Sequence, residues 1–553
     1  MKKSTIIKQV LLLSLFLFLP FSFAADTISP ISQNKTIEAI VTGKPISDYD
    51  YDYSNIKTSI NNILYKNKNL DKTKYGIAVY STKLNKWIYE HNANLLLVPA
   101  SNTKLFTTFT SYSTLGKDFH IATNIYIDGV IKDNVLIGDL YLVGGGDPIF
   151  NINDIETIVD AIKQYGIKKI EGNIYGDNSF FDDVTDRYKY SGDQDEVQPV
   201  PPITALSIEK NIVTIIVTSG KIPGKSVNVN FRPASSAFTT SISATVASNS
   251  EETDLFDDLT ENDETDENAI LNLAGDSKPI LVAAKKKNVR KKSSRQKRNV
   301  PSIQITTSML ENGKQCFYVK GSLQRNRTYT YQYYIKDPAF VATSALKDRL
   351  ITAGITVTGK AATKTLDTNA ENKKLIYTFS RNINDIIVPT NKFSDNYLAE
   401  ALFKLNGAVN GHKEDCAVSS RIANKETLKK FNLAIPENFL LNDGSGLSRR
   451  NTITTKLLAS LLVAANNSTF AHKLDSSLSI AGIDGTLQKR MKQSNAENNL
   501  RAKTGTLRNV SSLAGYINTK LGDTLVFAFI FNGPNVGAYK SIENELGIVL
   551  SNY

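Results

Sequence analysis

Cysteine and histidine are scarce in this chain of 553 residues, which holds two cysteines and four histidines. Cys316 and Cys416 allow one bridge at most, so no disulfide framework holds the fold, and the sequence leaves open whether the two pair. The histidines are scattered without the spacing of metal ligands. We therefore expect no metal, no cofactor and no catalytic Ser-His-Asp triad.

Long apolar runs are absent except at the N-terminus, where three lysines precede an apolar stretch from Val10 to Phe23. The stretch is short for a membrane span of about 20 residues, and Ser22-Phe23-Ala24 offers the small residues that a signal peptidase reads. We interpret residues 1–24 as a cleaved signal peptide and expect a periplasmic protein. The alternative is an uncleaved membrane anchor.

Positive charge is in modest excess, with 65 Lys and Arg against 54 Asp and Glu. This excess favours weak attraction to anionic envelope polymers rather than a nucleic-acid partner, which an exported protein seldom meets. Ten acidic residues in Glu251–Glu267 and nine basic ones in Lys285–Arg298 predict a disordered loop at 245–299. Either its two halves attract each other as a solvated loop, or the basic half tethers the protein to an anionic polymer.

The length argues for two or three domains, because single cores stop growing near roughly 250 to 300 residues. Strand-like runs occur at both ends of the chain, at Tyr75–Tyr80, Lys86–Glu90, Leu513–Ile517 and Thr524–Phe531, and a helical pattern follows from Tyr539 to Leu550. If these strands share one antiparallel sheet, residues 25–117 and 373–553 form a discontinuous domain. Residues 118–372, rich in short β runs, would then be an insertion. We expect an α/β (α+β) fold.

Ser101 and Lys104 form a Ser-x-x-Lys tetrad that opens a predicted helix directly after Pro99. On a helix this spacing puts the hydroxyl and the amine on one face, so a neutral lysine can take the serine proton. The tetrad alone is weak evidence, since it recurs, for example, at Ser344 and Lys347. Only Ser101 combines it with a preceding apolar run and a helix N-terminus, whose free N–H groups favour developing negative charge.

Two further elements follow in order, Ser394-Asp395-Asn396 and Lys503-Thr504-Gly505. Asn396 can hold a substrate amide while Ser394 relays a proton to the leaving amine. Lys503 with Thr504 can bind a terminal carboxylate at a strand edge. The simpler interpretations are that Ser394 caps a helix starting near Asn396 and that the second element is a turn.

Gly505 would keep that strand edge open to a ligand. Lys503 adds positive charge near Lys104, and together with burial this would lower the pKa of Lys104 from about 10.4 to near 7, a differential interaction of roughly 4 to 5 kcal/mol. The backbone N–H groups of Ser101 and Thr506 are the expected oxyanion hole.

These elements occur with several longer motifs: Leu140-Tyr-Leu-Val-Gly-Gly-Gly-Asp-Pro148, Asp443-Gly-Ser-Gly-Leu-Ser-Arg449, Gly482-Ile-Asp-Gly-Thr-Leu487 and Ala502-Lys-Thr-Gly-Thr-Leu507. In this combination the chain resembles the S13 peptidases, the D-alanyl-D-alanine carboxypeptidases/endopeptidases of the penicillin-binding protein 4 type. The resemblance implies a penicillin-recognising domain interrupted after its Ser-x-x-Lys helix by two β-rich domains. The charged loop at 245–299 departs from the family pattern.

The resemblance also implies an activity, the hydrolysis of peptidoglycan stem peptides or cross-links through an acyl-enzyme at Ser101, with inhibition by β-lactams. Asp177 matches the position that recognises the amino group of a diaminopimelate side chain, and Arg449 matches a residue that holds its carboxylate. The alternatives are a β-lactamase and a catalytically inactive wall-binding protein. The balance of carboxypeptidase to endopeptidase action and the oligomeric state stay open.

Overall fold

The computed structural model describes residues 51–193, 198–248, 280–281, 302–411 and 415–553, within one compact unit of the chain. The predicted signal peptide at 1–24 lies outside these residues, as does most of the charged segment 245–299. Among the described residues, no helix has both the length and the apolar character needed to cross a bilayer.

The helices of the described residues are α1 (Ile56–Lys66), α2 (Thr103–Thr114), α3 (Ile152–Gln164), α4 (Arg187–Ser191), α5 (Pro338–Thr352), α6 (Asn384–Lys392), α7 (Asn396–Asn410), α8 (Cys416–Lys430), α9 (Thr455–Asn466), α10 (Ala471–Ser476) and α11 (Val536–Ser551). The strands are β1 (Lys74–Ser81), β2 (Lys86–His91), β3 (His120–Lys132), β4 (Val135–Val143), β5 (Lys169–Ile170), β6 (Ile174–Asp177), β7 (Ile212–Thr218), β8 (Asn228–Arg232), β9 (Phe238–Ile242), β10 (Thr245–Val246), β11 (Ile280–Leu281), β12 (Ile303–Met309), β13 (Gln315–Leu323), β14 (Thr328–Tyr334), β15 (Thr356–Val357), β16 (Ala361–Thr363), β17 (Lys373–Asn382), β18 (Ser479–Ile480), β19 (Arg501–Leu507), β20 (Val510–Asn518) and β21 (Thr524–Asn532).

Strands from the two ends of the chain share one antiparallel sheet, in the order β18-β19-β20-β21-β1-β2. Strand β1 pairs with β21 from Lys74 opposite Asn532 to Ser81 opposite Leu525. The hairpin β1–β2 and the strands β20 and β21 lie where their apolar runs predicted them. The expectation of a shared sheet is therefore confirmed.

Both faces of this sheet are covered by helices, which explains why β20 and β21 are almost continuously buried and why β21 is almost continuously apolar. Along β21, Val526, Ala528 and Ile530 face one core with residues of α2, α7 and α9. The alternate residues face a second core with residues of α1 and α11. Ala78, Ala528 and Ala514 lie side by side across three strands, so α9 can pack closely against β1 and β21.

The described residues of the inserted part form three sheets around their own apolar core. A seven-stranded sheet of β3–β6 and β15–β17 packs against α3 and α5, and two four-stranded sheets contain β7–β14. The β-rich character matches the expectation, while the two long helices were not anticipated. Cys316 lies in β13 and Cys416 opens α8, and no disulfide joins the two in the described chain.

The boundaries of the insertion differ from the sequence-based ones. Strand β17 pairs with β3 from Asn382 opposite His120 onward, so the inserted sheet extends to about residue 382 and not 372. The predicted loop also cannot begin at residue 245, because Thr245–Val246 pairs with β13 and the Val246 side chain is buried. We therefore propose a discontinuous domain interrupted at 118–382. Its two junctions adjoin, since Ile383 N donates to Phe119 O over 3.0 Å.

Candidate active site

The Ser-x-x-Lys tetrad begins in a short 3-10 turn, Ala100–Asn102, that runs into helix α2. The Thr103 hydroxyl donates to Ala100 O, and Ala100 itself has left-handed backbone angles with φ of 50°. Lys104, one turn on from Ser101, is fully buried, and its Nζ lies 3.0 Å from Ser101 Oγ. The spacing therefore brings hydroxyl and amine together as predicted.

Lys104 Nζ also donates to Asn396 Oδ1 over 2.7 Å and to Ser445 O over 2.6 Å. Burial lowers the pKa of Lys104 to about 8, although the carboxylates of Asp443, Glu400 and Asp395 oppose this shift. The sequence-based expectation of a pKa near 7 left those carboxylates out. A lysine with a pKa near 8 is neutral often enough at physiological pH to act as a general base.

The segment 394–396 links helices α6 and α7. Asp395, and not Ser394, caps α7, because its Oδ1 accepts from Leu398 N over 3.0 Å. Ser394 adopts left-handed backbone angles with φ of 61°, and its hydroxyl accepts from Lys503 Nζ over 2.8 Å. The helix cap therefore leaves the Ser394 hydroxyl available at the site. Asn396 Nδ2 donates to Gln198 Oε1, a residue of the insertion, over 3.1 Å.

Lys503, Thr504, Gly505 and Thr506 belong to strand β19 rather than to a turn. In the described chain, β18 pairs only with Arg501 and Ala502, so the edge of β19 from Lys503 onward is left open. Burial, then repulsion from Lys104, holds the pKa of the Lys503 ammonium well below its usual range. The Thr504 hydroxyl donates to Thr486 Oγ1 over 2.8 Å, and Thr506 is exposed.

Gly505 lets this strand pass directly beside Ser101. A Cβ at this position would lie 2.3 Å from Ser512 Oγ, 2.8 Å from Pro99 O and 3.1 Å from Ser101 N. The Ser512 hydroxyl in turn donates to Pro99 O over 2.7 Å, which fixes the turn before Ser101 to strand β20. The glycine therefore permits close packing as well as an open edge.

The two residues expected to bind a diaminopimelate side chain differ in their relation to this group. Asp177 ends β6 and is buried, and its carboxylate accepts from Ser179 N and Leu366 N, both over 2.8 Å. Arg449 is exposed, and its guanidinium donates to Arg508 O in the turn after β19 over 3.0 Å. Arg449 thus adjoins the open strand. No described hydrogen bond joins Asp177 to the three motifs.

Sequence reasoning did not single out Glu400 or the residues of the insertion that surround it. Glu400 is buried in α7 one turn after Asn396, and its carboxylate accepts from Ser445 N over 2.8 Å and from the Tyr190 hydroxyl over 2.8 Å. Its i+4 spacing from Asn396 was an available signal. For Tyr190 the sequence carried no signal, because its partner lies 210 positions away.

The chain is similar to several known proteins. The family model described as D-Ala-D-Ala carboxypeptidase 3 (S13) matches residues 56–269 and 266–553. A D-alanyl-D-alanine carboxypeptidase of Actinomadura sp. (strain R39) is 26% identical over 490 residues, covering 86% of this chain and 81% of that protein.

The solved structure of penicillin binding protein 4 (dacB) from Haemophilus influenzae is similar, with a TM-score of 0.64, 22% identity, and coverage of 89% of this chain and 99% of that one. The same protein complexed with a novel β-lactam gives a TM-score of 0.62 at 23% identity, covering 90% of this chain and all of that one. These likenesses confirm the predicted fold class, and the family match confirms the resemblance found in the sequence. The chain belongs to the S13 family of D-Ala-D-Ala carboxypeptidases.

Proposed function

We propose that this protein hydrolyses the D-alanyl bonds of peptidoglycan peptides as a serine D-alanyl-D-alanine carboxypeptidase, D,D-endopeptidase or both. The observation that carries the proposal is the set of contacts among the three motifs. Lys104 Nζ lies between Ser101 Oγ and Asn396 Oδ1, and Lys503 Nζ lies 2.8 Å from Ser394 Oγ at the open edge of β19.

In the proposed mechanism, neutral Lys104 takes the proton of Ser101 as Oγ attacks the carbonyl carbon before the terminal D-alanine. A C–O bond forms, and the N–H groups of Ser101 and Thr506 stabilise the tetrahedral oxyanion. The C–N bond then breaks, and the proton that Lys104 took from Ser101 passes through Ser394 to the leaving amine, which leaves Lys104 neutral again. Water, deprotonated in the same way, hydrolyses the acyl-enzyme and frees Ser101.

Substrate binding is assigned to the open strand and its surroundings. Lys503 and Thr504 bind the terminal carboxylate, and Asn396 holds a substrate amide. Asp177 and Arg449 stay proposals for the two ends of a diaminopimelate side chain. Each Asp177 oxygen accepts one backbone N–H and keeps a further lone pair for an ammonium group.

The compartment is part of the same proposal. A periplasmic location rests on the interpretation of residues 1–24 as a signal peptide and on the substrate, which lies outside the cytoplasm. The proposal extends to β-lactams, since the similar Haemophilus influenzae protein is described in complex with one.

Intact-mass spectrometry after exposure to benzylpenicillin tests the nucleophile. We expect one adduct on the wild-type protein and none on Ser101→Ala. Ser344→Ala, which removes a buried serine from another Ser-x-x-Lys tetrad, is the matched control and should keep the adduct. An adduct that persists on Ser101→Ala would refute the assignment.

Digestion of purified muropeptides tests the reaction. We expect release of D-alanine from pentapeptide monomers, cleavage of cross-linked dimers, or both, with the products identified by mass. Rapid nitrocefin turnover without muropeptide cleavage would instead identify a β-lactamase. Absence of both labelling and cleavage would identify an inactive wall-binding protein.

A further inference from the structure

A group of mostly charged side chains lies buried close enough to Lys104 for its carboxylates to act on the charge of that amine. It consists of Glu400, Asp443, Arg187, Asp193 and the hydroxyl of Tyr190, and we call it the carboxylate cluster. The first four residues are buried, and Glu400 and Asp443 are fully inaccessible. Arg187, Tyr190 and Asp193 come from the insertion, in and after α4, whereas the two others come from the discontinuous domain.

Glu400 holds the backbone of the residue whose carbonyl binds the base. Its carboxylate accepts from Ser445 N over 2.8 Å and from Gly444 N over 3.2 Å. The carbonyl of the same residue, Ser445, accepts from Lys104 Nζ over 2.6 Å. Burial and then the neighbouring Asp443 raise the pKa of Glu400. Its described hydrogen bonds, including the one from the Tyr190 hydroxyl at 2.8 Å, all come from donors, and such bonds favour the ionised carboxylate against that shift.

Asp443 organises the rest of that loop. Its Oδ1 accepts from Gly446 N over 2.9 Å and from Asn451 Nδ2 over 2.7 Å, and its Oδ2 accepts from Ser448 N over 2.8 Å. A Cβ at Gly446 would lie 2.0 Å from Ala100 O, so this loop passes directly against the turn that carries Ser101. Displacement of the loop would therefore displace the base and the nucleophile together.

Arg187 places one positive charge against this group. Its Nη1 donates to Asp193 Oδ2 over 2.8 Å and to Asp443 Oδ2 over 3.0 Å. A second cation, Arg421 of α8, donates to Tyr190 O and Asn442 O and lies behind the same loop. Two buried carboxylates without such cations would strongly favour the ammonium form of a neighbouring lysine.

Further charges face Lys104 from the other elements around it. Asp395, at the start of α7, lies on the side of the insertion and is paired with Lys210 over 2.8 Å. Lys503 approaches from β19 as a like charge. The charge state of Lys104 therefore depends on the nearby carboxylates and on the cations that offset them. Among these cations, Arg187 is hydrogen-bonded to the buried carboxylates of Asp193 and Asp443.

We propose that Glu400 and Arg187 are opposed positioning residues for Lys104: Glu400 fixes the Ser445 carbonyl that holds the amine, and Arg187 of the insertion offsets the carboxylate charge near it. The inference rests on the proposed function, in which Lys104 is the base. It makes the insertion part of the catalytic apparatus, because the insertion supplies the cation that is hydrogen-bonded to Asp443.

The test is the pH dependence of the second-order rate of acylation by benzylpenicillin. The rate rises with pH as Lys104 loses its proton, so the acidic limb reports the pKa of Lys104, which is about 8. Glu400→Gln removes a negative charge and should move the limb to lower pH by about one unit. Arg187→Gln removes a positive charge and should move it to higher pH by about one unit, with roughly tenfold slower acylation at pH 7.

A second buried pair provides matched controls. Arg490 and Glu543 lie 2.9 Å apart, with the Glu543 side chain inaccessible, and neither contacts the three motifs. Arg490→Gln and Glu543→Gln should lower the melting temperature and leave the acidic limb in place. If Arg187→Gln does not fold, the same change is made in the Glu400→Gln background, where the limb must move upward again.

The outcomes separate the two proposals. A wild-type protein that takes no adduct at Ser101 refutes the proposed function. A wild-type protein that is acylated, with limbs that stay in place or move in the same direction in both variants, refutes the opposed roles of Glu400 and Arg187 alone.

Discussion

At the scale of single residues, Lys104 is buried, and in the proposed mechanism its amine must be neutral before it can take the proton of Ser101. With a pKa of about 8, roughly a tenth of the molecules hold neutral Lys104 at pH 7 and roughly nine tenths at pH 9. We therefore expect acylation by benzylpenicillin to become about tenfold faster between these pH values, measured with the wild-type protein by stopped-flow. A flat profile over this range would contradict the role of Lys104 as base.

Burial of the Lys104 amine should also lower the stability of the folded protein. The pKa of Lys104 in the folded protein lies below its ordinary value of 10.5, so at pH 7 the charged amine lowers the free energy of unfolding. This loss of stability decreases as the pH rises from about 8 to 10.5. We expect Lys104→Met to abolish acylation and to raise the melting temperature at pH 7. The difference from the wild type should shrink as the pH approaches 10. A lower melting temperature at every pH would show that the hydrogen bonds of Nζ outweigh its desolvation.

Gly505 gives a steric prediction. An added Cβ would meet Ser512 Oγ at 2.3 Å and Pro99 O at 2.8 Å, and the backbone on either side of it can yield little. We expect Gly505→Ala to slow acylation by at least about tenfold, because a displacement of around 1 Å at a reacting centre is costly. Gly537→Ala, where a Cβ meets nothing within 4 Å, should leave the rate unchanged.

Most of the motif residues could be predicted from sequence because their functions depend on short spacings. Ser101 and Lys104 lie one helical turn apart, and Lys503 to Gly505 follow one another on one strand. Spacing could not predict which of Ser394 and Asp395 caps the helix, because either side chain can do so. Only the backbone angles, left-handed at Ser394, direct one side chain to Leu398 N and the other to Lys503.

At the scale of elements, helix α7 is the main link between the two parts of the fold. Its successive turns contact the insertion, at Asp395 with Lys210, Tyr397 with Ser207, Glu400 with Tyr190 and Lys404 with Asp182. Lys404 is fully buried although it is charged. The sequence indicated a helix starting near Asn396 but not that its polar face is buried, because partners from distant segments satisfy those groups.

The Lys404–Asp182 pair, 2.7 Å long, should be important for stability. Asp182→Ala leaves an uncompensated buried ammonium group and should cost about 3 to 5 kcal/mol, measured by denaturant unfolding of the first cooperative transition. Asp182→Ala with Lys404→Met should recover much of this loss. The exposed pair of Lys429 and Glu426 is the control, and Glu426→Gln should change stability by less than about 0.5 kcal/mol.

Strand β17 shows why the proposed domain boundary differs from the one expected from the sequence. Its residues are mostly half-exposed, so its composition does not distinguish a strand of the insertion from one of the discontinuous domain. The deciding fact is its pairing with β3, which lies about 250 positions earlier in the chain. Pairings over such separations leave no trace in local propensity or alternation.

At the scale of the whole molecule, the insertion leaves and rejoins the discontinuous domain at one point, where Ile383 N meets Phe119 O. A short linker from residue 118 to residue 383 could therefore replace the insertion. We nevertheless expect the shortened protein to take no penicillin adduct and to unfold at much lower temperature, because α7 would expose Glu400 and Lys404 without their partners. A soluble, labelled product would show that the discontinuous domain is self-sufficient.

The pairing of β1 with β21 has a consequence for the time course of folding. Strand β1 and the Ser101 turn are synthesised early, but the strand that completes their sheet is among the last segments of the chain. Strand β19, with Lys503, also comes near the end. Contacts this distant in sequence form slowly, and here they cannot form at all on a partial chain. If Ser101 is the nucleophile, as proposed, it should therefore stay unreactive until strands β19 and β21 have been synthesised and have joined the sheet.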